Sequence, residues 1–499
     1  MNFLQSLSEN VIDEPNIDIA IEKTKSLLAK ADAVWQQAIV TTLKDNVINV
    51  NGETVIDPSR ISTARKTEKF NDQTFERPII DLVQQGGGMY GIALAGYTYI
   101  MEKAGIRFYS LGGTSAGGIN AMLLGTLPNT IYQNPSLIQP EKQGSKSELL
   151  AHIISNTDFS KFMDRGGIAG KLQKIALNKF KRRTLKWLGI TLFIMIPILI
   201  YTAFGLIITE ENKISLPWIR SYDFVIGTLV AFVPLMVTYL ILLRILGTKF
   251  GVNSGDAFYH WMNAILKNPF VNVHTTSDLM QRLKANRFDS AQDQDLAKMV
   301  LITSNLTFNR IVKFPASAID YWTPCENVNP AAYVRATMSI PFIFNTFIPD
   351  LGHVENNAVP KISKSRFVDG GLLSNFPIRE FHNNSVVHPR FPTFGVLLNE
   401  SPIDLDVPTK EIQKEFKETT LISYILSFLS TFRNFYDNDF LRSNEEIRLR
   451  VVAVETKGFD WLDFWMKTDS KEELFRRGAE AAVHQLQKFN FQEYVQKYR

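Results

Sequence analysis

A short glycine-rich stretch, Ser110–Gly118, constrains this 499-residue chain more than any other. It reads Ser-Leu-Gly-Gly-Thr-Ser-Ala-Gly-Gly, follows an apolar run that predicts a buried strand (Ile106–Leu111), and leads into an apolar helix. Gly113 and Gly117 flank Ser115 at two residues on either side. So tight a turn needs residues without side chains there and pushes the central hydroxyl outward, which indicates a nucleophile elbow. Tight connections and anion sites at helix N-termini share the pattern, so further motifs must decide.

A second glycine-rich turn precedes the elbow, between a predicted buried strand (78–85) and a predicted helix (92–103). Its glycines are Gly86, Gly87, Gly88 and Gly91. Unobstructed backbone N–H groups at a helix N-terminus favour negative charge, so this turn predicts an oxyanion hole. A nucleotide-phosphate loop is the alternative, but no Lys-Ser/Thr pair closes the turn, and the glycines are not followed by an acidic residue on a second strand, as a dinucleotide-binding motif requires.

A third motif, Asp369-Gly370-Gly371, follows a predicted strand that starts at Arg366. In open α/β sheets, active sites lie beyond the carboxyl ends of the strands, and such an end would bring Asp369 toward the elbow. Gly370 and Gly371 allow a sharp turn and a close approach. An aspartate followed by glycine is also a common turn former, so the motif alone leaves both interpretations open.

Together the three motifs resemble the patatin-like phospholipase family, and Ala332–Phe344 resembles the segment that precedes the family's aspartate. The resemblance covers roughly 76–176 and 251–490 and implies a three-layer α/β/α sandwich around a mostly parallel sheet. It also implies a Ser-Asp dyad, in which Ser115 attacks an ester and Asp369 accepts its proton without a histidine or a cofactor. A carboxylate that acts as a base needs partial desolvation, and the apolar loop near Ile340 can supply it.

Two positions depart from the family pattern. Tyr90 stands where the family usually has Arg or Lys, and Gln85 stands where Asp is common. The missing basic charge bears on recognition of a phosphate headgroup, so the sequence leaves phospholipids and neutral lipids open as substrates.

Two long apolar runs interrupt the α/β pattern, at about 187–208 and 224–246. The first carries no charge, and the second carries none up to Leu243 and continues as Ile245 and Leu246 after Arg244. Each provides the roughly 20 residues that a membrane-spanning helix requires, and interior prolines are tolerated in such helices. We therefore expect a transmembrane helical hairpin inserted into the domain; a pair of buried core helices is the alternative.

The flanks of these runs predict their orientation. Seven basic residues and no acidic ones lie within 171–186, whereas the loop between the runs is mixed in charge. The positive-inside rule then leaves both outer ends and the catalytic domain on the cytoplasmic face, with the basic run near anionic headgroups.

Composition excludes several classes of function. The net charge of +4 gives no support for nucleic-acid binding, the single Cys325 excludes an internal disulfide, and the seven histidines show no metal-ligand spacing. We expect no metal site and no cofactor, and the sequence leaves the oligomeric state open.

These observations predict four segments: an N-terminal helical cap (1–75), two parts of a patatin-like domain (76–176 and 251–499) and the hairpin (177–250). Within the last part, the apolar segment 420–441 predicts core packing, with a lid as the alternative. The function expected is that of a membrane-anchored lipid acyl hydrolase. A catalytically silent membrane scaffold and a thioesterase or acyltransferase remain as alternatives.

Overall fold

The computed structural model describes residues 3–70, 73–128, 144–164, 250–285, 297–355, 359–362, 364–382, 389–399 and 443–498, together with Leu137, Met236, Asp437, Phe440 and Leu441. The chain forms two compact units. The first comprises Met1–Phe162, Gly255–Ile340 and Thr346–Arg499, and the second comprises Met163–Ser254 and Pro341–Asn345.

The helices of the first unit lie before, between and after its strands along the chain. They are α1 (Phe3–Asn10), α2 (Ile17–Val40), α3 (Gly91–Lys103), α4 (Ala116–Thr126), α5 (Lys146–Asn156), α6 (Asp256–Lys267), α7 (Thr276–Ala285), α8 (Ala331–Thr337), α9 (Glu445–Arg448), α10 (Thr468–Lys488) and α11 (Phe491–Tyr498). The segment predicted as an N-terminal helical cap contains the long helix α2, which Asn16 caps by accepting hydrogen bonds from the Asp18 and Ile19 N–H groups.

The strands are β1 (Val47–Val50), β2 (Glu53–Ile56), β3 (Arg65–Phe70), β4 (Gln73–Gln84), β5 (Arg107–Thr114), β6 (Gly251–Asn253), β7 (Met299–Asn305), β8 (Arg310–Phe314), β9 (Trp322–Thr323), β10 (Phe342–Phe344), β11 (Val359–Pro360), β12 (Phe367–Asp369), β13 (Thr393–Asn399) and β14 (Val451–Glu455). β1 and β2 form an antiparallel hairpin, closed by the turn at Asn51 and Gly52.

One mixed, mostly parallel sheet organises the first unit. Its order is β12-β7-β5-β4-β13-β14, with β3 paired to β4 and β8 paired to β7. The central pairs from β7 to β14 are parallel, whereas β3, β8 and β12 pair antiparallel. Every residue of β7 is buried, as expected for a parallel strand covered on both faces. The predicted α/β class with a mostly parallel sheet is confirmed.

Different elements cover the two faces of this sheet. Helices α3 and α4 pack against one side, and α3 is buried from Gly91 to Glu102. On the other side lies a hydrophobic cluster that includes Val83, Ile302, Phe376, Phe381 and Leu441. Since Leu441 ends the predicted core-packing segment, the described end of that segment contributes to the core.

The long helix α10 packs on α3 through glycines. A Cβ atom at Gly96 would lie 1.9 Å from the Phe475 carbonyl oxygen, and one at Gly478 would lie 1.8 Å from the Ala93 oxygen. Both backbones therefore approach more closely than any other residue would allow. This contact fixes the helix that begins at the glycine-rich turn.

The second unit contains the parallel pair β6 and β10, in which Phe342 pairs with Gly251. The Asn253 side-chain amide donates to the Ile343 carbonyl oxygen at 2.9 Å. The predicted hairpin segment (177–250) belongs to this unit. Both predicted spans lie outside the described residues, apart from Met236. Within the described part of the chain, every helix is either too short or too polar to cross a bilayer.

Candidate active site

Ser115 stands in the turn between β5 and α4 with an unusual backbone. Its φ and ψ are 52° and −120°, and its exposed fraction is 5%. A non-glycine residue in this region carries about 1–3 kcal/mol of strain, which persists only where the surroundings enforce it. A Cβ at Gly113 would lie 2.3 Å from the Gly117 carbonyl carbon, and one at Gly117 would lie 2.2 Å from the Gln84 oxygen. The strand-to-helix turn thus has the geometry of a nucleophile elbow.

One hydroxyl holds the elbow in place. The Ser115 N–H donates to Thr337 Oγ1 at 3.0 Å, and the Thr337 hydroxyl donates in turn to the Ile302 carbonyl oxygen. Thr337 ends α8, and Ile302 lies in β7, so this residue links the strained turn to the neighbouring strand. The sequence placed Thr337 in a family-like segment but assigned it no role.

The glycines of the glycine-rich turn differ in whether their backbone N–H groups already donate hydrogen bonds within the protein. The Gly86 N–H donates to the Asn375 oxygen at 3.0 Å, and the Gly91 N–H donates to the Gly88 and Met89 oxygens. The Gly87 and Gly88 N–H groups donate to no residue in the described part of the chain. Of the four predicted glycines, Gly87 and Gly88 therefore retain amides available to an oxyanion.

Gly86 and Gly91 contribute through close packing instead. A Cβ at Gly86 would lie 3.1 Å from the Ser115 Cβ and 2.9 Å from the Thr114 oxygen. A Cβ at Gly91 would lie 2.9 Å from the Ala116 Cβ. The absence of side chains at these positions brings the turn directly against the elbow.

Asp369 ends β12, one residue before the two glycines of its motif. Its exposed fraction is 7%, its Oδ1 accepts the Gly371 N–H at 2.7 Å, and its own N–H donates to the Ser339 oxygen at 2.8 Å. A Cβ at Gly370 would lie 2.2 Å from the Ile302 oxygen and 2.9 Å from the Thr114 Cγ2. The aspartate motif therefore folds back against the strand that carries the elbow.

The register of the sheet brings Ser115 and Asp369 to the same level beside β7. Thr114 pairs with Ile302 across β5 and β7, and Asp369 pairs with Thr303, the next residue of β7, across β7 and β12. Because β8 pairs with β7 over Leu301–Asn305, β5 and β12 both lie on the other side of β7. The elbow that ends β5 and the aspartate that ends β12 therefore approach each other on that side of β7.

A loop that the sequence did not single out joins these parts. The Thr114 hydroxyl donates to the Ser374 oxygen at 3.1 Å, and the Asn375 side-chain amide donates to the Gly86 oxygen at 3.0 Å. Together with the Gly86 N–H bond to Asn375, these contacts make the 374–376 loop a bridge between the elbow and the glycine-rich turn.

A buried carboxylate from a distant segment holds that loop. Asp437 is 7% exposed and accepts hydrogen bonds from Ser374 Oγ at 2.9 Å, from Asn375 N at 2.6 Å and from Phe376 N at 2.8 Å. Charged acceptors form the strongest hydrogen bonds in proteins. No sequence motif surrounds Asp437, so only the folded contacts reveal it.

Tyr90 has a structural role in this fold. Its side chain is buried, and its hydroxyl donates to the Phe459 oxygen at 2.9 Å. The neighbouring Met89 N–H donates to the Trp461 oxygen at 2.9 Å. The residue at the usually basic position therefore ties the glycine-rich turn to the segment before α10.

The groups that the structure brings together here are a hydroxyl, a carboxylate and backbone N–H groups. Within the part of the chain that the structure describes, no three His, Cys, Asp or Glu side chains are grouped so as to hold a metal ion.

Comparisons with known proteins agree with this architecture. Over residues 82–382, well over half of the chain, the sequence matches the family described as patatin-like phospholipase. The uncharacterized protein YqhO of Bacillus subtilis is 23% identical over 338 residues, which cover 68% of this chain and 77% of that protein.

Similar solved structures include VipD from Legionella pneumophila, with a TM-score of 0.37 and 14% identity, covering 85% of this chain and 70% of that one. The ExoU–SpcU complex of the Pseudomonas aeruginosa type III secretion system is similar with a TM-score of 0.32 and 16% identity, and the match covers 90% of this chain and 60% of that one. With the family match across the elbow and the aspartate motif, the chain belongs to the patatin-like phospholipases and is a lipid-hydrolysing enzyme.

Proposed function

We propose that this protein is a membrane-anchored serine lipid acyl hydrolase that cleaves carboxylic ester bonds through a Ser115–Asp369 dyad. The observation that carries the proposal is the strained Ser115 backbone, level with Asp369 and packed against a turn with two available amides. Strain of this kind concentrates at functional sites, because ordinary packing does not maintain it.

The proposed reaction has two steps. Asp369 takes the Ser115 hydroxyl proton as the oxygen attacks the ester carbonyl, and the Gly87 and Gly88 N–H groups stabilise the negative oxygen that forms. The tetrahedral species collapses to an acyl-serine, and the protonated Asp369 returns its proton to the departing alcohol. Water then repeats the sequence on the acyl-serine and releases the fatty acid.

Lipid is the expected substrate because of the sequence around the site. Two apolar runs, 187–208 and 224–246, form the proposed transmembrane hairpin, and the basic stretch 171–186 precedes it. Anchoring would hold the catalytic unit beside its substrate, and the charge distribution supports a cytoplasmic position for that unit. The buried Tyr90 favours neither phospholipids nor neutral lipids.

The dyad is tested with purified full-length protein and two variants, Ser115→Ala and Asp369→Asn. Both should lose fatty-acid release from lipid and nitrophenyl esters, and both should lose labelling by a fluorophosphonate, because only an activated serine reacts with this reagent. The exposed residues Ser59 and Asp45 provide matched controls, Ser59→Ala and Asp45→Asn, which should retain activity. Full hydrolysis by Ser115→Ala would reject the proposal.

The same labelling separates the alternatives. A silent scaffold would leave Ser115 unlabelled, because only an activated serine reacts with a fluorophosphonate. A thioesterase or acyltransferase would be labelled but would prefer acyl thioesters, or would transfer the acyl group to an added alcohol rather than to water.

The proposed hairpin requires its own experiment. Glycosylation sites introduced between the two runs, near residue 213, should be modified when the full chain is made with microsomes, whereas sites near residue 44 should not. Modification at both positions or at neither would contradict the proposed topology.

A further inference from the structure

Exposed apolar side chains gather at the edge of the sheet that carries Asp369. In the first unit, Leu306, Phe308, Ile319 and Val359 are 45%, 46%, 59% and 50% exposed. Leu306 and Phe308 lie in the turn between β7 and β8. Isolated exposed apolar residues need no explanation, but a group of four beside a catalytic edge marks an interaction site.

Contacts through Arg310 and Lys361 link Phe308, Ile319 and Val359 into one surface, and Leu306 lies in the same turn as Phe308. The Arg310 guanidinium lies 5.5 Å from the centre of the Phe308 ring and 3.5 Å from Asp320, the neighbour of Ile319. The Lys361 amine donates to the Ile319 oxygen at 2.8 Å, and Lys361 follows Val359 by two residues.

Basic side chains surround the apolar ones. The Leu306 N–H donates to the Arg366 oxygen at 2.9 Å, and the Thr307 hydroxyl donates to the Lys364 oxygen at 3.4 Å. With Arg310 and Lys361, this gives four basic residues. The acidic residues that face them are Asp320, paired with Arg310, and Glu326, which like Lys361 lies near Cys325. The surface therefore carries a net charge of +2.

This surface lies next to the proposed dyad. Phe367 pairs with Asn305, and Asp369 pairs with Thr303, so β12 leads from Arg366 directly to the catalytic carboxylate. Three residues of extended chain separate them, about 10 Å. A lipid surface in contact with Leu306 and Arg366 would present its esters near Asp369.

We propose that the four apolar residues and the four basic residues around them form a surface, the edge patch, which docks the catalytic unit onto the anionic face of a lipid bilayer. This inference rests on the proposed lipid substrate. Apolar side chains enter the headgroup boundary while basic side chains pair with anionic lipids. Each basic residue near such a surface contributes about fivefold to binding.

Two patch variants test the proposal in the full-length protein. Lys361→Glu with Lys364→Glu changes the charge, and Phe308→Asp with Ile319→Asp changes the apolar contact. Matched controls are Lys25→Glu with Lys44→Glu and Val40→Asp with Ile48→Asp. Val40 and Ile48 are 67% and 41% exposed, and the β1–β2 hairpin lies near Ala104, before the amino end of β5.

Activity is measured on vesicles of phosphatidylcholine with about 30 mol% phosphatidylglycerol and on a soluble nitrophenyl ester. The charge variant should lose about 25-fold on vesicles, and the apolar variant should lose a similar factor, while both keep the soluble activity. Equal losses on both substrates, or unchanged vesicle activity, would overturn the proposal, as would equal losses in the controls.

A binding measurement keeps the inference independent of catalysis and of the hairpin. In a Cys325→Ser, Ser115→Ala background, Phe308→Cys and Ile48→Cys are labelled with an environment-sensitive dye. The dye at 308 should shift to the blue on anionic vesicles, less on pure phosphatidylcholine, and not at 48. If no ester is hydrolysed but this shift occurs, the proposed function fails and the docking surface stands; no shift at 308 refutes the surface.

Discussion

Asp437 offers a sharp test of how the site is held together. Its carboxylate accepts three hydrogen bonds from consecutive residues, two of them on Oδ2 from the Asn375 and Phe376 N–H groups. In Asp437→Ala, two backbone donors and one hydroxyl lose their partner inside the protein. An unsatisfied buried donor costs about 1–3 kcal/mol, so removing the carboxylate should lower the free energy of unfolding by about 3–5 kcal/mol.

The catalytic effect follows from the next contacts in the chain of hydrogen bonds. The loop that Asp437 holds is joined to Gly86 by two hydrogen bonds of 3.0 Å, and Gly86 precedes the available amides. Loss of one oxyanion donor lowers kcat by about 10²–10³-fold. In Asp437→Ala the donors are displaced rather than removed, so we expect a loss of kcat of about 10²-fold. KM should change little, because these donors act on charge that develops in the transition state.

Asp437→Asn is the matched control. One amide oxygen can accept both backbone N–H groups, while the amide N–H can donate to the Ser374 hydroxyl, so the loop stays in place. We expect at most a tenfold loss of kcat, or about 1.4 kcal/mol, for this variant. Urea unfolding and nitrophenyl ester kinetics measure the two effects; an Asp437→Ala protein with wild-type kcat would refute the reasoning.

Three further predictions concern the elbow, the helix contact and acid stability. The free energy of unfolding should be about 1 kcal/mol higher for Ser115→Gly than for Ser115→Ala, because both variants lack the nucleophile but only glycine adopts the positive φ without strain. Equal free energies of unfolding would contradict the strain. Gly96→Ala should cost about 2–3 kcal/mol in urea unfolding, since its Cβ would meet the Phe475 oxygen, whereas Gly352→Ala, with only Asp350 Oδ1 nearby at 3.2 Å, should be nearly neutral. His152 is fully buried, and burial lowers its pKa to about 4, so the folded state binds fewer protons than the unfolded state between pH 4 and 6.5. Stability should therefore fall by up to about 3 kcal/mol as pH drops through this window, and His152→Gln should remove most of that slope.

The positions of strands were predicted best from the sequence where an apolar run is followed directly by a glycine. Apolar runs ending in glycine located β4 and β5, because buried parallel strands are continuously apolar and their ends require small residues. The sequence also located β12 and expected its end to bring Asp369 toward the elbow. The structure does place Asp369 level with Ser115, but on a strand that runs antiparallel to β7, which the rule for carboxyl ends of parallel strands does not predict. Their direct interaction as a dyad stays a proposal.

Contacts between distant segments could not be predicted in this way. Asp437 lies 61 residues or more from the loop it holds, and a single aspartate in an apolar segment resembles any surface carboxylate. Thr337 was visible as part of a family-like segment, but its bond to Ser115 depends on tertiary structure. From the sequence, Tyr90 was notable only because it replaces a basic residue, whereas in the structure it is buried and its hydroxyl donates a hydrogen bond to the Phe459 oxygen. The membrane hairpin, at 187–208 and 224–246, rests on hydropathy alone.

The glycine contact between α3 and α10 has a consequence for biosynthesis. Residues near 478 pack against α3, the helix that starts at the glycine-rich turn. Tyr90 and Met89 of that turn donate hydrogen bonds to residues 459 and 461. While the ribosome has yet to release that stretch, the turn lacks its support even though the serine and the aspartate have already been made. A nascent chain would thus remain catalytically silent, and hydrolysis would begin only after translation has passed α10.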